Sequence, residues 1–493
     1  MTAPAGFHAA LDFGASSARL FTGRLEDGAL VMSERRRVPN VPVLLPDGLH
    51  WDVIGIYGEM LRALAGLSRE GDLISVAIDG WGVDYGLLDG EGRLLGLPYH
   101  YRDARTRGLG EKVRQVLGDG ELYRATGVQE MEINTIFQLL AGAGSAAYRD
   151  ASTLLLLPDL FGYFMTGERR FERTNASTTQ LVDCRTGEVA AGLLGRLGLR
   201  LDIFPPPAEP GDMLGPFLGD VAARAGLPRT TDVVSVASHD TASAVLAVPA
   251  KVEHFAYVAS GTWSLVGLEL DAPVMSECSK QANFSNELGV DGTVRFLRNT
   301  MGHWMLQECE RAWEHAGHPR DLLRLLERAA AEPAFSSLVD TADMRFARPG
   351  EDMAQRVRDA CAQNGEPVPE TDEALVRCIV DSMALSAAIT LEEAQHLADR
   401  EVEVVHIVGG GSANTLYLQA LAAATGLPVI AGPVEASAVG NLLMQLRAVG
   451  RAGGREEMRA LVAASFETRQ VTPDQDLVGK ARAACRRLIQ RHQ

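Results

Sequence analysis

The chain lays down one local plan twice, about 250 residues apart, and that duplication limits what it can fold into. His8-Ala-Ala-Leu-Asp-Phe13 is a short apolar run, Gly14-Ala-Ser-Ser-Ala-Arg19 is a turn of small residues, and Leu20-Phe-Thr-Gly-Arg-Leu25 runs back. Lys251-Val-Glu-His-Phe-Ala-Tyr-Val-Ala259, Ser260-Gly-Thr-Trp-Ser264 and Leu265-Val-Gly-Leu-Glu-Leu270 repeat strand, hydroxyl-rich turn and strand. A spacing this long marks a repeat of whole domains rather than of a solenoid unit. We place the boundary at 245–252 and expect domains at 1–248 and 249–493, each long enough for its own core.

The stretches between the repeats fill in an α/β pattern. Asp27-Gly28 closes a tight turn, so a β-meander opens the first domain. Apolar spacing predicts helices over 53–67, 134–142, 158–166 and 371–400, and buried strands over 73–78, 154–157 and 232–237. Asn175-Ala-Ser-Thr-Thr-Gln180 is small and polar, as in a loop or helix start. Phe204-Pro-Pro-Pro-Ala-Glu-Pro210 reads as a rigid extended connector, because proline fixes φ. Residues 296–312 read as a loop leading into a helix. Strand 402–408, glycine turn 409–412, a helix through 424 and strand 427–431 form a right-handed crossover, and a further helix enters at 435–446.

Composition narrows the function. A net charge of −17 disfavours nucleic-acid partners, although backbone amides and a bound cation can still hold a small anion. The six cysteines, at 184, 278, 309, 361, 378 and 485, contain no CxxC pair, so neither a zinc site nor a thioredoxin-like motif is expected. Cys361 and Cys378 flank a polar stretch and could approach each other. The start of the chain lacks a basic segment followed by a long apolar core, and we find no run of about 18 apolar residues. These features lead us to expect a cytoplasmic protein without a membrane span.

Three turns of glycine or hydroxyl residues each follow a strand: 14–19, 260–264 and 409–412. Each offers free amides and little side-chain bulk, the combination a phosphate chain needs. None matches GxxxxGK[ST] or GxGxxG. At Ser238-His239-Asp240-Thr241 an acid ends a strand and begins a helix, at the rim of a sheet where α/β proteins keep ligands. Taken alone, Asp240 reads equally as a helix cap.

These motifs resemble the FGGY carbohydrate kinases of the actin/Hsp70/hexokinase superfamily, over about residues 8–450. The resemblance implies an α/β, two-domain actin-like ATPase (ribonuclease H-like) fold, with mixed β-sheets flanked by helices and a cleft between the domains. It implies that Ala15, Ser16, Ser17, Ala18, Arg19, Thr262, Gln307, Gly410, Gly411 and Asn414 bind ATP. Asp12 would organise Mg²⁺ through water, and Asp240 would be the catalytic base. Trp81-Gly82-Val-Asp84, Tyr101-Arg-Asp103-Ala-Arg105-Thr, His239-Asp-Thr-Ala-Ser-Ala-Val245 and Asn299-x-x-Gly-x-Trp304-x-x-Gln307 look like the rhamnulokinase branch. The sugar contacts implied there are Trp81, Gly82, His239, Asp240, Thr241 and Asn299. Trp81 reads as core filling as readily as a stacking surface, and His239 reads as a packed histidine as readily as a sugar contact. Arg102 and Arg105 are expected to pair with the nearby Asp103 or to line the cleft, with surface ion pairing for one of them.

The sequence departs from that branch at Ala18, where glycine is usual and the methyl is expected to narrow the phosphate space. It departs again at Gly80, often threonine, beside the expected sugar pocket. The implied reaction is ATP-dependent phosphorylation of a ketose at O1, with L-rhamnulose first and L-fuculose, L-xylulose or a polyol as alternatives. From a different class, a nucleotide-gated binding protein stays open. The partners expected are sugar and ATP, with no nucleic acid and no membrane, in a monomer or homodimer.

Overall fold

Strand β1 (Phe7–Phe13) is buried along its whole length, so it reads as a continuous apolar run rather than an alternating one. β2 (Ser17–Glu26) and β3 (Ala29–Pro39) pair with it in turn as an antiparallel meander, joined at Asp27 (φ 48°) and Gly28 (φ 81°). β4 (Leu73–Gly80) lies parallel to β1 on its other side. β5 (Met213–Pro216) and β6 (Asp232–Val234) complete the order β5-β6-β4-β1-β2-β3. The helix Val53–Leu67 buries Val53, Ile56, Met60, Leu64 and Leu67, the three-and-four spacing of one face. Helix α1 (Asp240–Leu246) follows β6, with His239 as its N-cap.

The structure, a computed structural model, describes residues 6–67, 69–347 and 352–489, so the first five residues of the segment read for a leader lie outside it. The chain forms two compact units. Met1–Pro249, Leu270–Phe296 and Ala436–Ser465 make the first, and Ala250–Glu269, Leu297–Glu435 and Phe466–Gln493 the second. Packing therefore divides the chain at 249 and then returns it twice to the first unit, where the sequence suggested one continuous piece on either side.

The second unit starts with β7 (Phe255–Ser260) and β8 (Trp263–Leu270), an antiparallel hairpin. The chain goes back to the first unit for β9 (Ser285–Leu288), then follows β10 (Val294–Met301), helix α2 (Trp304–His315) and helix α3 (Asp372–Ala398). Next come β11 (Val404–Val408), parallel to β7, α4 (Thr415–Thr425) and β12 (Val429–Ala431), parallel to β11. Helix α5 (Ala436–Ala448) returns to the first unit, and β13 (Arg469–Val471) closes the second against β12. The strands of the second unit run β10-β8-β7-β11-β12-β13.

Close packing explains why α5 belongs with the first unit. A Cβ on Gly440 would sit 2.0 Å from the Ser243 carbonyl of α1, and one on Gly23 of β2 would sit 2.5 Å from Leu442. No bulkier pair of surfaces could approach this closely.

Several sequence readings change. β7 begins at Phe255 rather than 251. A strand, β10, occupies 294–301 where a loop was expected, because its arginines and asparagine hide the strand pattern. The polar run 175–180 is wholly buried and starts within a short helix, Arg173–Ala176. Thr178 and Thr179 hydroxyls donate to the carbonyls three residues back, so these two hydroxyls are satisfied locally. Among the described residues α3 is the one helix long and apolar enough to be tested as a membrane span. It passes on length and composition, but 78% of its most apolar window is buried inside the structure, as in a core helix. Cys361 and Cys378 are buried free thiols with Sγ atoms 3.8 Å apart.

Candidate active site

The parallel pairing of β1 and β4 sets Asp12 beside Asp79 in register. The Gly80 amide donates to the Ser238 carbonyl at 2.9 Å, which draws the start of α1 to the same sheet edge. Asp12, Asp79 and Asp240 therefore share the C-terminal rim of the first unit's sheet, where open α/β sheets bind ligands. Arg19 pairs with Asp12 at 2.5 Å. Asp79 is fully buried; its Oδ1 accepts from Asn441 Nδ2 at 2.6 Å, while its Oδ2 is buried without a hydrogen-bond partner. Burial, then the charge of Asp12, pushes the Asp79 carboxyl well above its usual range. Burial and Asp12 likewise raise Asp240 to about 7, although its side chain keeps 30% exposure.

Such a group of carboxyls is short of positive charge. Its hard oxygens fit a magnesium ion that keeps most of its water. Among the described residues no group of three or more His, Cys, Asp or Glu side chains forms a metal cage.

The first turn is held from below. Asn40 donates from its backbone to Ser16 and from its side chain to Gly14, each at 3.0 Å, and Gly14 donates to Ser17 at 3.0 Å. Ser16 is exposed, and Gly14, Ala15 and Ser17 are partly so. Ala18 corrects an expectation: it is fully buried in the core, so its methyl does not narrow the space over the turn.

On the other side of Asp79, a Cβ on Gly80 would meet the Phe13 carbonyl at 3.0 Å, so glycine is set by packing against β1. The Trp81 indole is buried, donates to Asp84 Oδ2 at 3.0 Å and lies 4.2 Å from the Trp51 ring. Gly82 abuts Thr178, where a Cβ would lie 2.7 Å from the hydroxyl. Val83 has φ +68°, and Asp84 donates its amide to the Gly82 carbonyl at 2.9 Å, a strained γ-turn. Asp84 accepts from Trp51, Trp81, Tyr101 and Gln138, and burial still raises it to about 6. Arg105 lies over the Tyr99 ring at 3.8 Å and donates to Gln138 at 2.8 Å. Arg102 lies over the Tyr101 ring at 5.3 Å.

His239 is buried, and Thr241 donates its hydroxyl to Asp240 Oδ1 at 3.1 Å. Residues that no motif signalled hold this segment. Glu172 accepts from the amides of Thr174, Asn175 and Ser238 and from the hydroxyls of Thr174 and Ser238, at 2.7–3.1 Å. The His239 amide donates to Thr174 Oγ1 at 3.3 Å. Arg295 and Glu287 stand behind the His239 ring, Arg295 Nη1 lying 3.1 Å from both His239 Nδ1 and Glu287 Oε2. Only long-range pairing reveals them.

The remaining candidates lie in the second unit. His303 and Trp304 donate their amides to Gly261 and Thr262, at 3.1 and 3.2 Å, clasping the β7–β8 turn. A Cβ on Gly302 would lie 2.7 Å from the Trp263 backbone, so only glycine allows that clasp. Thr262 is half-buried at the turn, Asn299 half-buried on β10, and Gln307 half-buried on the first turns of α2. Gly410 is open, whereas Gly411 is packed on Ser260 and His303. The Asn414 side chain caps α4, its Oδ1 accepting from the Tyr417 amide at 3.1 Å.

Two family models match: the N-terminal domain of the FGGY family of carbohydrate kinases over residues 7–247 and its C-terminal domain over 256–449. A rhamnulokinase of Bacteroides thetaiotaomicron is 40% identical over 467 residues, covering 94% of this chain and 95% of that protein. One of Klebsiella pneumoniae is 41% identical over 473 residues, 95% and 94% of the two chains. A ligand-bound xylulose kinase of Lactobacillus acidophilus superposes with a TM-score of 0.82 at 14% identity, covering 99% and 98%. Plasmodium falciparum glycerol kinase with ADP reaches 0.77 at 12%, again covering 99% and 98%. Both structures share the fold. With both family models matched in order and relatives alike over nearly their full length, the chain belongs to the FGGY carbohydrate kinases and is an ATP-dependent sugar kinase.

Proposed function

We propose that this kinase transfers the γ-phosphate of ATP to the O1 hydroxyl of L-rhamnulose, as a cytoplasmic enzyme, with Asp240 as general base. The observation that carries the reading is the Asp240 carboxyl. It is partly exposed at the sheet rim and raised to about 7, which matches a base working near neutral pH. The substrate reading comes from the relatives named above, which are rhamnulokinases along the length of the chain.

Phosphoryl transfer asks for positioning and charge neutralisation more than for covalent help. Asp240 accepts the O1 proton as the hydroxyl attacks. Thr241 holds Asp240 Oδ1, and Glu172 holds Ser238, so the base keeps one orientation. Trp81, Gly82, His239, Thr241 and Asn299 are the proposed sugar contacts. Residues 15–19, Thr262, Gln307, Gly410, Gly411 and Asn414 are the proposed nucleotide contacts; the Ala18 side chain is buried in the core, and Asn414, whose amide donates to Gly411 and whose Oδ1 caps α4, would contribute its Nδ2. Asp12, beside the turn, would hold magnesium through water, and a bound magnesium ion supplies charge neutralisation on the phosphate oxygens.

Asp240→Asn keeps the shape and removes the base. We expect a turnover loss of about 10²–10⁴ in an ADP-release assay, with ATP binding retained by calorimetry. Wild-type-like turnover would remove Asp240 from the mechanism. A panel of L-rhamnulose, L-fuculose, L-xylulose and polyols settles the acceptor, and a higher kcat/KM on any other than L-rhamnulose would overturn that choice.

A further inference from the structure

Arg295 has none of its surface exposed, an uncommon place for a side chain that cannot shed its charge. Its Nε and Nη2 donate to the Leu288 carbonyl at 3.2 and 3.1 Å. Its Nη1 lies 3.1 Å from Glu287 Oε2 and 3.1 Å from His239 Nδ1. Glu287, also buried, accepts from Ser285 Oγ through its other oxygen at 3.1 Å. The Leu288 carbonyl thus takes donors from two of the guanidinium nitrogens, the Glu287 carboxylate offsets its charge at ion-pair distance, and Nη1 faces one nitrogen of one imidazole.

A guanidinium only donates, so the nitrogen it faces must be the unprotonated one. Nδ1 of His239 is therefore the acceptor and the ring proton sits on Nε2, which lies 3.5 Å from Asp240 Oδ1. The ring takes no second proton, because burial and then Arg295 hold it well below the usual histidine range. Nδ1 also lies 3.5 Å from Glu287 Oε2, so each ring nitrogen faces a carboxylate at the same distance, and the Arg295 donor at 3.1 Å from Nδ1 is what selects the tautomer.

We infer that Arg295, braced by Glu287, is a positioning residue for phosphoryl transfer, fixing His239 as the Nε2–H tautomer so that the imidazole presents a donor on the side where Asp240 works. The inference rests on the reading of Asp240 as the base, and the two fail separately. Loss of the base role would show in Asp240→Asn turnover, whereas the tautomer is read from the unmodified enzyme.

The test is ¹⁵N NMR of histidine-labelled enzyme, with the His239 signals identified by their loss in His239→Gln. The expected result is a pyridine-like Nδ1 and a pyrrole-like Nε2. A pyrrole-like Nδ1 in the wild type would overturn the inference whether or not any variant folds. For the kinetic arm, Arg295→Met combined with Glu287→Gln removes both buried charges together and leaves neither unpaired. It should lower kcat about 10- to 100-fold, leave the nucleotide Kd unchanged and mix the His239 tautomers. Arg295→Lys, which keeps charge but cannot make the same fork, should fall between it and the wild type. A folded double variant with wild-type kcat would also overturn the inference.

Discussion

The two hairpins that the chain builds twice share a backbone plan and differ in charge. In the first unit, the parallel neighbours just before the turn are Asp12 and Asp79; at the matching place in the second they are Ala259 and Val408. The first turn thus stands on two carboxyls with a third, Asp240, beside them. The second stands on apolar side chains and uncharged polar groups: Ser260, Ser264 and His303, the last held down to about 4 by burial. Both copies keep a turn of small residues after a strand, while the three carboxyls are confined to one of them. The difference also shows what the turn itself requires. Both copies keep small residues and a supporting clasp, from Asn40 in one and Gly302-His303 in the other.

The largest effect should come from erasing the asymmetry. Ala259→Asp would bury a lone carboxylate beside Val408 and destabilise the fold by about 3–5 kcal/mol. A denaturation midpoint equal to wild type would show that the second site tolerates charge. Asp12→Asn attacks the comparison from the charged side. It should cost about 10²–10³ in kcat and weaken the dependence on Mg²⁺, whereas Ser260→Ala should act on the KM for ATP. Glycines separate packing from phosphate contact: Gly440→Ala, driven against the Ser243 carbonyl, should cost about 1–3 kcal/mol in chemical denaturation. Gly410→Ala, with open space around it, should leave stability unchanged.

The smallest effect is a pH signature. The folded Asp240 carboxyl sits at about 7, above the unfolded value of about 4. The fold therefore prefers its protonated form, and the wild type is increasingly penalised as pH rises from about 4 to 7, with no further change above. Asp240→Asn should raise the melting temperature more at pH 8 than at pH 5. Over the same range wild-type kcat should rise with pH and level off above about 7, because the base acts ionised.

What could be read in the sequence was whatever is written locally. The turn 14–19, the helix 53–67 and the start of a helix at Asp240 each rest on neighbours within a few residues, and the structure has them there. Strand 294–301 was missed because Arg295, Arg298 and Asn299 interrupt its apolar pattern. Arg295 lies among buried groups and Arg298 pairs with Glu393, contacts that no local window contains. The supports of the site are the least legible part. Glu172 reaches Ser238 across 66 residues, and Asn441 reaches Asp79 across 362. Gly80 and Ala18 looked like substitutions at the ligand, yet both are dictated by packing around β1.

The return of helix α5 has a consequence for synthesis. Gln445 donates to the Ala9 carbonyl and to Asn441, and accepts from Ser75, so the floor beneath Asp79 joins residues 436 positions apart in the chain. Emerging from the ribosome, the amino-terminal half has β1 and β4 but not the helix that covers them. The rim at Asp79 can mature only once α5 has been made, a case of very long contact order. A chain that ends before Ala436 therefore lacks the Asn441 and Gln445 side chains that pack beneath Asp79.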